Sequence, residues 1–62
     1  MVRENLKSER KRSNLKQSEV AEIIGITVRQ YSAIESGTSD SSLKVWRKLK
    51  ELFGKSIDYL IS

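Results

Sequence analysis

A chain of 62 residues has room for one small core, and with no cysteine and no histidine it lacks disulfides and the usual zinc ligands. It carries 12 Lys and Arg against 8 Asp and Glu, a formal charge of +4, which suits a polyanionic partner. No apolar run approaches the ~20 residues of a membrane span, and no apolar block follows the basic start "MVRENLKSERKR", so a soluble, cytoplasmic chain with no membrane role is expected.

The charge is unevenly placed. Arg3, Lys7, Arg10, Lys11, Arg12 and Lys16 face only Glu4 and Glu9 in residues 1–16. The middle, residues 17–42, has Arg29 against Glu19, Glu22, Glu35 and Asp40; residues 43–62 turn basic again with Lys44, Arg47, Lys48, Lys50 and Lys55 against Glu51 and Asp58. Basic flanks around a less basic middle fit a polyanion gripped at its edges.

In chain order, the first predicted helix covers about residues 2–12, and "SNLK" turns the chain into a second at 17–24. Val20, Ala21 and Ile24 share one face of that helix, which Gly25 ends, since glycine enters the left-handed region without a Cβ penalty. Thr27 restarts the chain with Gln30 three residues on, a capping box opening a third helix at 28–36 with Tyr31 and Ile34 inward. Ile26, in the turn between, is expected to be buried and to pin the two helices at a steep angle. Gly37 closes the third helix, and the polar loop "GTSDS" is expected to be mobile. Ser42 caps a fourth helix at 43–53, whose Leu43, Trp46, Leu49 and Phe53 form an apolar stripe, with Trp46 and Phe53 assigned to the core. After Gly54, Ser56 caps a short fifth helix at 57–61. Alternation of period two is nearly absent, so the expected fold is all-α: one domain, residues 1–62, of five helices.

Two short helices joined by a Gly-containing turn, the second opened by a cap, make a helix-turn-helix. The residues that carry the likeness are Arg10, "LKQ" at 15–17, "VA" at 20–21, "IG" at 24–25, Ile26, "AIESG" at 33–37, "SL" at 42–43 and "SIDYLI" at 56–61. With these residues at these spacings the chain resembles the Cro and phage-repressor-like (XRE-type) helix-turn-helix family of DNA-binding regulators over nearly its whole length. It departs from the family at Lys16, where Ser, Thr or Asn is common, and in lacking an Asn-Pro pair before Ser42. Arg47 and Lys50 stand where apolar residues are usual, and Ile23 where a polar one is usual.

The resemblance implies a compact lambda-repressor-like domain whose third helix enters the major groove of double-stranded DNA. Base contacts then fall to Val28, Arg29, Ser32 and Ala33. An arginine fork suits guanine O6 and N7, and a valine suits a thymine methyl. Phosphate contacts fall to Gln17, at a helix N-terminus, and to Gln30, Ser36, Thr38, Arg10 and Lys11, with Arg12 as further charge. For Gln30 the competing role is closing the capping box on Thr27. Arg10 and Glu35 are implied to form a partly buried ion pair. A transcriptional repressor acting as a homodimer on a near-palindromic operator follows from the same resemblance. The pairing surface is assigned to Ile57, Tyr59 and Ile61, with Ile23 as second choice. No enzymatic activity, cofactor, metal or small-molecule ligand is expected. The alternative is the same fold used as a protein-interaction module of antitoxin or anti-repressor type, without specific DNA binding.

Overall fold

The computed structural model describes residues 2–62. Five α-helices follow one another: α1 (Glu4–Arg12), α2 (Gln17–Ile24), α3 (Val28–Ser36), α4 (Leu43–Phe53) and α5 (Ile57–Ile61). There are no strands among the described residues. α2 packs chiefly on α3, α1 on α5 and α3, and α4 on α2 and α5. The core they enclose is Leu6, Val20, Ala21, Ile24, Tyr31, Ile34, Trp46, Leu49 and Leu60, so every helix contributes to it. No described helix is long and apolar enough to cross a membrane.

Local signals place the helix ends. Gly25, Gly37 and Gly54 take φ of 83°, 81° and 68° at the C-termini of α2, α3 and α4. At Gly25 the N–H groups of Gly25 and Ile26 both donate to the Ala21 carbonyl at 2.9 Å, the closure that ends a helix sharply. Lys48 of α4 adds its ammonium to the Ile24 carbonyl at 3.2 Å, a cation for a helix end that has none of its own. Thr27 then restarts the chain: its hydroxyl accepts from the Gln30 N–H at 3.1 Å, while the Gln30 side-chain oxygen accepts from the Thr27 N–H at 2.9 Å. α2 opens differently. Lysine has no acceptor to offer, so Glu19 supplies only the reverse half of a cap, accepting from the Lys16 N–H at 2.8 Å.

Several sequence expectations need correction. α1 begins at Glu4 rather than at residue 2, because Arg3 leaves the helical region and turns toward the end of α3. The same residue ties down the "GTSDS" loop, bonding the Ser39 carbonyl at 3.1 Å and pairing with Asp40. Leu43 is 57% exposed: side chains lean toward a helix N-terminus, and in the first position of α4 that carries it past the core. Phe53 and Ile26 are half-buried at the core's edge rather than inside it.

Candidate nucleic-acid interface

The N-terminal half of α3 is bare. Val28 is 48% exposed, and Arg29 is exposed with no ion pair among the described residues. Ser32 and Ala33, one turn on, are half-buried, so the helix backbone can approach a flat or concave partner closely there. Ser32 and Ser36 line a notch on one flank of the helix; Arg29, Gln30 and Ala33 line a wider groove of about 460 Å³ on the other, closed by residues 39–42 and Val45. α3 therefore presents a ridge with a free cation near its leading end.

The C-terminal half is cross-linked. Arg10 donates from Nε and Nη2 to the two oxygens of Glu35, at 2.8 and 3.0 Å, and from Nη1 to the Leu15 carbonyl at 2.9 Å. Gln17 adds its amide to the same carboxylate at 3.4 Å. Glu35 is only 3% exposed. Burial by itself would raise its pKa, but the hydrogen bonds and charge of Arg10, with the neighbouring Tyr31 hydroxyl and then Gln17, outweigh burial and hold the carboxyl below the ordinary range. The Arg10 guanidinium is held above its own, first through its bonds to Glu35. The Tyr31 hydroxyl lies buried close enough to feel both charges, yet makes no direct hydrogen bond among the described residues. Burial first, and then the Glu35 carboxylate, push that phenol well above its usual pKa.

The notch beside this cluster, about 190 Å³, joins three helices: Val2, Lys7 and Arg10 from the α1 side, Gln17 from the start of α2, and Ser32, Glu35 and Ser36 from α3. Four of the expected contact residues, Arg10, Gln17, Ser32 and Ser36, thus share one surface. At the head of α2 the N–H groups of Gln17 and Ser18 have no backbone partner among the described residues, while those of Glu19 and Val20 bond the Lys16 carbonyl at 3.1 Å. A cationic rim beside free helix-start N–H groups is a setting for phosphate.

A family model described as Helix-turn-helix matches residues 6–60. The chain belongs to the Cro and phage-repressor-like (XRE-type) helix-turn-helix family. It is also similar to a Bacillus subtilis (strain 168) protein described as the uncharacterized HTH-type transcriptional regulator YqaE, with 36% identity over 61 residues. That match covers 98% of this chain and 53% of the relative, so the chain spans about half the relative's length. No solved structure matches the chain.

In this helix-turn-helix protein the other residues expected at phosphates, Gln30, Thr38 and Lys11, do not line the notch. Gln30 is engaged in the α3 capping box, which leaves its amide NH₂ outward. The Ser36 hydroxyl donates to the Ala33 carbonyl at 3.1 Å and meets the Thr38 hydroxyl at 2.7 Å, so a phosphate reaching either displaces an existing bond. Lys11 is exposed on α1, away from the notch residues. Arg10 has three of its N–H groups committed inside the protein, which makes its structural role primary and phosphate contact secondary. Ile57 is half-buried against the core, leaving Tyr59 and Ile61, at 38% and 43% exposure, as the accessible members of the expected pairing surface. Two residues were missed. Lys7 is three residues from Arg10, a spacing that puts the two on one face of α1 and was legible from the chain. Arg3 itself had no local signal, because its partners lie 31 to 37 residues away.

Proposed function

We propose that this chain is the DNA-reading part of a transcriptional regulator, binding duplex DNA sequence-specifically with α3 in the major groove and acting by occupying its site. The observation that carries this reading is the combination on one helix of an unengaged, exposed Arg29 beside Val28 with a C-terminal end locked to α1. Arg29 and Val28 read base edges, with Ser32 and Ala33 allowing close approach. Gln17 with the α2 N–H groups, Lys7 and the Gln30 amide hold phosphates; Ser36, Thr38, Lys11 and Arg10 are secondary. Support also comes from the relative, described as a transcriptional regulator. Repression through a two-fold pair on a near-palindromic operator, with half-sites about 34–36 Å apart, is part of the proposal, with Tyr59 and Ile61 at the pairing surface.

Selection of bound sequences from a randomised duplex library at one fixed salt concentration tests it. The expected product is a motif of two related halves, and Arg29→Ala weakens that site by about 5- to 150-fold while losing preference at one base pair in each half. Enrichment of nothing, with weak binding that vanishes as salt rises, overturns specific reading. An interaction module would then lead. The observation favouring it is Ile23, 57% exposed beside a groove of about 390 Å³ lined by Ile24, Lys48, Glu51 and Leu52.

A further inference from the structure

Arg3 lies outside every helix, yet it is only 8% exposed. An arginine is almost never so buried unless its donors are used, and here they are. Its backbone N–H donates to the Glu35 carbonyl at 2.8 Å. Its guanidinium donates from Nη1 to the Ile34 carbonyl and to the Ser39 carbonyl, the latter at 3.1 Å, and from Nη2 to the Asp40 carboxylate. The same plane lies 5.2 Å from the centre of the Trp46 ring, within range of a cation–π contact. One side chain thus joins the start of α1, the last turn of α3, the loop after it and the core aromatic of α4.

α3 needs this help. Its last turn carries Glu35 and no cation, the wrong sign for the negative end of a helix dipole. Both cations that correct it come from the α1 side, Arg10 on the Glu35 carboxylate and Arg3 on the carbonyls. They stand seven positions apart, Arg3 just before α1 and Arg10 within it. The loop beyond is otherwise held by bonds of the Thr38 and Ser39 N–H groups to the Ala33 carbonyl, at 3.0 and 3.2 Å. Asp40, whose side chain is 87% exposed, sits in the wall of the groove that also holds Arg29. An unpaired carboxylate there would repel a phosphate chain and attract Arg29 off its base. Arg3 answers that charge from inside the protein.

We propose that Arg3 is a positioning residue for recognition: it fixes the tilt of α3 and holds the 37–41 loop and Asp40 clear of the DNA, without itself touching nucleic acid. This rests on the DNA-reading function proposed above. It also explains why α1 starts two residues later than its sequence pattern allows.

Three variants, Arg3→Met, Arg3→Lys and Asp40→Asn, are compared with the parent, each confirmed folded by its thermal transition. Measured for each are amide exchange at Thr38 and Ser39 against Val20 and Leu49, the affinity ratio of selected site to random duplex, and the slope of log affinity against log salt. With Arg3→Met the loop amides should exchange about ten-fold faster while the core amides hold. The affinity ratio should fall about ten-fold and the salt slope should not move. Arg3→Lys keeps the charge but not the planar fork, and should recover the melting temperature more fully than the ratio. If Arg3→Met proves too unstable, Arg3→Lys and Asp40→Asn, the latter expected to change the ratio about two- to three-fold, carry the test. A ratio that stays at the parent value while the loop loosens overturns the proposal, leaving Arg3 a structural staple. A slope shallower by about one also overturns it, because Arg3 would then be a phosphate ligand. A parent that prefers no sequence overturns the functional reading itself, and that outcome is distinct because it appears before any substitution.

Discussion

At its N-terminal end α3 is held by two hydrogen bonds of its own capping box, between Thr27 and Gln30, and its outward side chains Val28 and Arg29 are exposed. At its C-terminal end, nine residues later, the outward groups are nearly all engaged: Glu35 by Arg10 and Gln17, the Ile34 and Glu35 carbonyls by Arg3, and the Ser36 hydroxyl by its own turn. The difference assigns the two ends different work. A helix that reads a surface must be rigid relative to the body of the protein, yet free at the residues that read. Concentrating the tertiary bonds at one end satisfies both, because a short helix behaves as a rod and fixing its rear fixes its tip.

The largest expected effect is on the engaged end. Glu35→Gln leaves the Arg10 guanidinium partly buried without its counter-charge and should cost about 3–5 kcal/mol, comparable with the whole stability of so small a chain. Urea unfolding measures it; a loss below about 1 kcal/mol would mean the cluster is not what holds α3. Acid should act in the same direction. Because the Glu35 pKa is depressed on folding, its contribution is fully present above the unfolded value near 4.5 and is lost as pH falls through the lower folded value. The melting temperature should therefore drop below about pH 4.5 in the parent, and a Glu35→Gln variant should lack that component of the drop. If both titrate alike, the carboxylate is not the group responsible.

At the free end the balance reverses. Arg29→Ala should leave stability within about 0.5 kcal/mol while weakening specific affinity, so a substantial fall in its unfolding free energy would show that Arg29 has a hidden structural partner. At the same end, Thr27→Ala should cost about 1 kcal/mol by removing the cap. Its signature should be faster amide exchange in the first turn of α3, with the last turn unaffected. Loosening that spread to both ends would contradict the division drawn between them.

What the chain's residues determine by themselves is the punctuation of the helices. Gly25, Gly37 and Gly54 end three of them, and Thr27, Ser42 and Ser56 begin three, because caps and left-handed turns are settled within four or five residues. The apolar faces Val20–Ala21–Ile24 and Tyr31–Ile34 were legible for the same reason, since one helical period decides them. The Arg10–Glu35 pair was legible only through family resemblance, as nothing local links residues 25 apart. Only the tertiary structure decided the rest. Leu43 belongs to an apolar stripe by spacing, but the fold ends before reaching it. The "GTSDS" loop reads as loose by composition, but Arg3 comes from the other end of the chain to hold it. A buried charge finds its partners wherever folding delivers them, so distance in space, and not along the chain, decided which cations stayed free and which became structure.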